Sequence, residues 1–186
     1  MNVIDTVVKQ DYCIGCGVCA GICPSNNLHM YWSKQGELIP YSNSSCNDNC
    51  SICLDICPFY DHDINQDNIA NELFHEIPNI NYNKYTGYYI NCYVGYKKND
   101  KKRLKSASGG AATSFLSTLL TEKIVDKVVA VGAFENPERM FEFKVLNTPK
   151  DVNSCAGSAY YPVEISGVLK EILKGQSEDK YAVIAL

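Results

Sequence analysis

Eight of the ten cysteines fall between Cys13 and Cys57, in two runs: CIGCGVCAGICP at residues 13–24 and CNDNCSICLDICP at residues 46–58. Only Cys92 and Cys155 lie beyond them. Thiols this dense, two or three residues apart, serve either as disulfides or as metal ligands. A disulfide scaffold spreads its cysteines through its whole core and follows a secretory signal. The start, MNVIDTVV, has neither the basic nor the apolar stretch of such a signal. The runs therefore read as thiolates collected around metal, in a chain expected to be cytoplasmic. No stretch approaches the ~18 apolar residues of a membrane span.

The first run is Cys13, Cys16, Cys19 and Cys23 followed by Pro24, spaced C-x2-C-x2-C-x3-C-P. That spacing is similar to the bacterial ferredoxin run that holds a 4Fe-4S cluster. Three close thiolates wrap one corner of the cube, and Gly15, Gly17 and Gly21 are expected to let backbone N–H groups approach the sulfides. Zinc sites are more often two separated C-x2-C pairs. In two-cluster ferredoxins the fourth cysteine of each run serves the other cluster. Carried over, cluster one takes Cys13, Cys16, Cys19 and Cys57. Cluster two takes Cys50, Cys53, Cys23 and Cys46. Between the runs, HMYWSKQGELIPY reads as a hairpin, with Tyr31–Trp32 and Leu38–Ile39 in strands and Ser33 to Gly36 in the turn.

The second run has one residue too many between Cys46 and Cys50. Its C-x3-C-x2-C spacing is also that of radical S-adenosylmethionine enzymes, but the regular first run and the Cys57-Pro58 ending favour the ferredoxin reading. Asn47, Asp48 and Asn49 are turn formers able to absorb the extra residue. The alternative for Cys46 is a loop cysteine that leaves cluster two with three ligands and a 3Fe-4S or labile cluster.

After Pro58 the pattern is that of an ordinary globular chain. Helical spacing predicts a helix over residues 66–76, with Asp67 as its cap and Pro78 beyond its end. GYYINCYVGY alternates and predicts a strand in which Cys92 is a small buried hydrophobe. SASGG, at residues 106–110, opens a helix carrying Phe115, Leu116, Leu119 and Leu120. Ser106 is a candidate cap there, and the Ser/Gly loop is equally a candidate phosphate cradle. VDKVVAVGAF and FEFKVLNT read as strands, PKDVNSCAG and VEISGVLKEIL as helices, and YAVIAL as a final buried strand. The alternation predicts an α/β layer with at least part of a parallel sheet. Ending on a buried strand argues for the front part of a longer polypeptide.

Charge divides the chain in the same place. Residues 1–65 carry two basic groups against seven acidic ones, whereas KKNDKKRLK, at residues 97–105, packs six cations around one Asp100. Such a knot suits a phosphate-bearing cofactor or an anionic tail, or else is a solvated loop. It is too short, in a chain of net charge −4, to point to nucleic acid. His29, His62 and His75 are isolated and read as structural or surface groups.

Both cysteine runs, then DNIANELF, NCYVGYKK, RLKSASGGAATSFLSTLL, IVDKVVAVGAF and CAGSAYYP, resemble in order and spacing the coenzyme F420 hydrogenase/dehydrogenase beta-subunit family. SASGG with AGSAYYP is the specific part. The resemblance implies an α+β protein: a small two-cluster ferredoxin-like domain over residues 1–62, a connecting helix and strand over 63–96, and over 97–186 the N-terminal part of an α/β flavin-type domain. It implies a flavin, FAD, held near Arg103, Ser106, Ser108, Gly109 and Gly110, with Gly157, Ser158 and Tyr160 supplied by the second motif. Two departures stand out: Ala159 occupies a position where the family usually has Lys, and the family domain runs on past a strand like YAVIAL.

The function so implied is an iron–sulfur flavoprotein oxidoreductase with two 4Fe-4S clusters, a hydride-carrying coenzyme such as coenzyme F420, and a redox partner protein or subunit. The rival is a ferredoxin-like electron carrier or partner-binding subunit without flavin. No side chain is assigned as a catalytic acid or base.

Overall fold

The computed structural model describes residues 1–44, 46, 49–60, 65–134, 139–175 and 178–185. Asn47 and Asp48, read above as absorbing the extra residue, lie outside them, as do His62 and the domain border at 62–63. The N-terminal unit starts with a π-helical turn, Ile4–Val8, whose Val7 is buried. The first cysteine run forms α1 (Val18–Gly21) and the second α2 (Ile52–Asp55). Between them, β1 (Leu28–Trp32) and β2 (Leu38–Ser42) pair antiparallel, from Leu28 opposite Ser42 to Trp32 opposite Leu38. The turn falls where the sequence places it: Gly36 N–H donates to the Ser33 carbonyl at 3.0 Å, and the Ser33 hydroxyl accepts from Glu37 N–H at 3.1 Å.

These short elements share one core, formed by Val3, Val7, Ala20, Leu28 and Leu54 together with Cys19 and Cys53. Two of its seven buried residues are thus cysteines of the two runs. Asn27, also buried, ties the core to the loop ahead of Cys46: its amide donates to the Ser44 carbonyl and its oxygen accepts from Ser44 N–H.

The next stretch departs from the sequence expectation. Helix α3 (Gln66–Phe74) is capped by Asn65, which accepts from the N–H groups of Asp67 and Asn68; Asp67 is not the cap. None of its residues is buried, and Leu73 and Phe74 face solvent. The strand predicted through residues 87–96 is short. Only β4 (Gly87–Tyr89) forms, antiparallel to β3 (Asn81–Asn83). Beyond Tyr89 the backbone has no partner strand among the described residues, so Ile90 and Val94 are exposed and Cys92 is exposed, not buried.

The C-terminal part follows the predicted alternation. Helices α4 (Asp100–Leu104) and α5 (Ala111–Thr121) precede β5 (Lys127–Ala133) and β6 (Phe141–Leu146). Then come α6 (Pro149–Ser154), α7 (Ser166–Lys174) and β7 (Tyr181–Val183). The sheet order is β6-β5-β7; β5 runs antiparallel to β6 and parallel to β7. Central β5 is covered on both faces, which is why its sequence is continuously apolar. Val128 and Ala130 pack with Leu116 of α5 and Val152 of α6. Val129, on the opposite face, packs with Ile165 and Val168 at α7.

Thr148 caps α6, accepting from Asp151 N–H at 3.2 Å, and Pro149 sits at the first turn where a missing N–H costs nothing. Thr148→Ala is expected to lower stability by about 1 kcal/mol in denaturant unfolding. Ser106 caps nothing; α5 starts at Gly110, in the left-handed conformation. Among the described residues no helix is long and apolar enough to cross a membrane.

Candidate metal centre

The two cysteine runs build the same local figure. In each, a helical turn starts two residues after the second cysteine: α1 after Cys16 and α2 after Cys50. The third cysteine is thereby the second residue of its turn, and both Cys19 and Cys53 are buried. Cys13, Cys16, Cys23, Cys46, Cys50 and Cys57 are half-buried. One cavity is lined by Cys13, Cys16, Cys19 and Cys57, with Met30 and Pro40 from the hairpin. Three of these thiols come from the first run and the fourth from the end of the second.

Burial pushes the Cys19 thiol up to about 12, and the charges of Cys16, Cys13 and Cys53 add to it. Burial likewise raises Cys13; an N–H from Gly15 opposes it, and Cys16 and Cys57 reinforce it. In the second group burial raises Cys53 against an N–H from Val3, with Cys46 and Cys50 adding their charge. Cys46 is therefore within electrostatic reach of Cys53, despite the longer spacing. Cys23 differs. Burial raises it, but the Ser25 hydroxyl and the N–H groups of Asn27, Leu28 and Ser25 outweigh burial and lower it. Its sulfur lies 3.4 Å from Asn27 N, in the turn leading to β1.

Thiols kept protonated by burial and mutual repulsion ionise when a cation replaces their protons. An all-sulfur donor set in an apolar setting suits a soft iron–sulfur cluster. Among the described residues no three His, Cys, Asp or Glu side chains converge as on a single ion. A tetrahedral zinc site would hold its sulfurs about 3.8 Å apart. A cubane gives each cysteine its own iron and spaces the sulfurs more widely.

The glycines of the first run have a further job beside the expected one, which Gly15 N–H already does at the Cys13 sulfur. A Cβ on Gly15 would collide with the Leu38 carbonyl oxygen in β2. One on Gly17 would meet the Glu164 carboxylate at 2.6 Å, and one on Gly21 would meet Leu169 Cβ at 2.8 Å. Two of the three thus admit α7 and the residues before it. Ile165 N–H donates to the Cys16 carbonyl at 3.0 Å, completing the contact. Beside it, Trp32 of β1, Tyr161 and Phe141 of β6 form an aromatic series with ring centres 5.8 and 6.0 Å apart. No local pattern in the sequence marks Glu164, Ile165 or Tyr161; the small residues at 17 and 21 are the only hint.

Of the other candidate residues, one set is brought together. Lys97 N–H donates to the Gly109 carbonyl at 2.9 Å, and Lys97 Nζ donates to Ser106 Oγ at 3.3 Å. The Ser106 hydroxyl donates to the Lys102 carbonyl, and the Arg103 guanidinium lies 4.3 Å from the centre of the Tyr96 ring. Ser108 and Gly110 both have positive φ, so the 106–110 turn is tight. Burial lowers the Lys97 pKa, and the nearby Lys102 charge lowers it further. Gly157, Ser158 and Tyr160 follow α6, which packs beside α5; Gly157 and Ser158 are exposed and Tyr160 is 92% exposed. Neither described cavity is lined by these eight residues.

The cysteine geometry and its short helices define an iron–sulfur protein with a ferredoxin-like head. Residues 12–63 match the 4Fe-4S dicluster domain, and residues 92–170 match the model of the coenzyme F420 hydrogenase/dehydrogenase beta subunit, N-terminal part. The chain thus carries a segment similar to the N-terminal part of that beta-subunit family, with a 4Fe-4S dicluster domain ahead of it. It is 33% identical over 55 residues to an uncharacterized ferredoxin of Methanocaldococcus jannaschii, covering 30% of this chain and 70% of that protein. A chain in the F420-reducing nickel–iron hydrogenase complex from Methanosarcina barkeri, solved as a xenon derivative, superposes on 49% of this chain with a TM-score of 0.42 and 24% identity. The overlap covers 32% of that chain, so this protein spans about a third of it.

Proposed function

We propose that the chain is an iron–sulfur electron-transfer oxidoreductase subunit, a reading that the dicluster match and the beta-subunit segment support. It passes electrons between a hydride-carrying coenzyme such as coenzyme F420, an FAD and two 4Fe-4S clusters, and exchanges them with a redox partner subunit. In this reading residues 1–62 are the dicluster domain, 63–96 the connection and 97–186 the N-terminal part of the flavin domain. Cluster one is held by Cys13, Cys16, Cys19 and Cys57, and cluster two by Cys23, Cys46, Cys50 and Cys53. The observation that carries the reading is the cavity where three thiols of one run meet the last thiol of the other.

The 4Fe-4S clusters supply one-electron transfer, and a flavin supplies the conversion between that and hydride transfer. The chain's residues hold and orient. The cysteines ligate, while Met30, Pro40 and Ile56 keep water from the first site. At the second, α5 starts without a side-chain cap, so its first N–H groups and positive dipole end are open to an anion. Lys97, Arg103 and Ser106 stand beside that turn, in a position suited to a cofactor phosphate.

An anaerobic absorption spectrum with iron, sulfide and flavin assays on the purified protein tests this. Structured flavin bands over a broad brown background are expected. A brown protein without flavin would instead support the electron carrier, and a colourless one would overturn both.

A further inference from the structure

The electrostatics at the first cluster loop are not set by the ferredoxin head alone. The half-buried Glu164 carboxylate sits against Gly17, which itself lines the cavity with Cys13, Cys16, Cys19 and Cys57. It is held there twice. Its Oε2 accepts from Ser166 N–H at 2.6 Å, and the next residue, Ile165, donates its N–H to the Cys16 carbonyl at 3.0 Å. Val18 packs on Ile165 and Val168, and Gly21 against Leu169, so the loop and the start of α7 are packed together.

We propose that Glu164 sets the reduction potential of cluster one, so that the C-terminal part of the chain tunes the site it packs on. The proposal rests on the ligand assignment above. A 4Fe-4S cluster gains one unit of negative charge when it accepts an electron, and a fixed carboxylate nearby disfavours that gain. A half-buried charge at such range is screened far less than a surface one. Two charges of opposite sign compete here. The N-terminus of α7 points its roughly half-unit positive dipole end at the same loop, which favours reduction. The full unit of the carboxylate is larger, and it caps that end. Removing the charge therefore acts in one direction twice: the repulsion goes, and the helix end is left uncompensated. Cluster one becomes easier to reduce.

The test is an anaerobic electrode titration followed by electron paramagnetic resonance, with iron and sulfide counted on each sample. Glu164→Gln keeps an oxygen for Ser166 N–H, so the cap survives. The expected result is an upward shift of one cluster's midpoint, with the other unmoved and iron content unchanged. Glu164→Asp, which withdraws the charge by one methylene, shifts the same midpoint less. Glu171→Gln, an exposed carboxylate on the same helix, shifts neither. In a Cys57→Ser background, where cluster two alone is expected to remain, Glu164→Gln shifts nothing. Two unmoved midpoints in Glu164→Gln, or equal movement of both, would overturn the charge coupling. Retention of both clusters in Cys57→Ser counts against the ligand assignment instead, so the two failures are read on different samples.

Discussion

Cys57→Ser is expected to strip one cluster and leave the other, with iron falling to about half of the wild-type value. A serine oxygen is a harder donor on a shorter side chain and holds cluster iron poorly. The informative part is which cluster goes. Cys57 belongs by sequence to the second run, yet it lines the cavity with the three leading thiols of the first. Cys57→Ser and Cys13→Ser should therefore leave the same residual paramagnetic spectrum, that of cluster two. Cys53→Ser should leave the other. If Cys57→Ser and Cys53→Ser match instead, each run holds its own cluster and the crossed assignment is wrong.

The second large effect is expected from Gly15→Val. Gly15 has φ +74°, where a β-branched side chain is strained by roughly 1–2 kcal/mol. Its Cβ would also run into the Leu38 carbonyl in β2, so the hairpin must move off the cluster loop. Displacing packed backbone adds a further 1–3 kcal/mol or so. A total on the order of 3 kcal/mol is large beside the 5–15 kcal/mol that holds a domain together. Gly36→Ala separates the two causes. Gly36 has a similar φ, +81°, in the open turn of the hairpin, with nothing within 4 Å of a Cβ. Only its conformational cost, about 1 kcal/mol, is expected there. Thermal unfolding of the anaerobic protein gives both values, and equal losses in the two variants would remove the Leu38 contact from the account.

What could be read from the sequence followed the range over which each signal acts. The hairpin of β1 and β2 is encoded locally, by strand formers around a turn closed by Ser33 and Gly36. Helix α6 is announced by Thr148-Pro149, and β5 by its unbroken apolar run. The α3 cap is ambiguous in the sequence because Asn65 and Asp67 are both competent acceptors two residues apart. The extended backbone of Asn65, φ −118° and ψ 176°, decides between them, and no composition reveals it. The strand through residues 87–96 failed for another reason. Alternation describes which side chains could share a face, but a strand needs a neighbour, and β3 offers three residues. Cys92 and Val94 lie beyond that offer. The contact of α7 on the first cysteine loop is a meeting of segments about 150 residues apart, fixed by the shape of two surfaces. Gly17 and Gly21 were visible, but their service to Glu164 and Leu169 was not.

Cys19 and Cys53 lie inside the packed centre of the head, beside Val3, Val7 and Leu28. A cluster held there would brace the interior as well as carry electrons, since metal–thiolate bonding is folding free energy. Oxygen that dismantles the cluster would then also loosen the interior and open the first 60 residues to proteases. The working life of this protein in a cell would be governed by the same exposure to air that governs its colour.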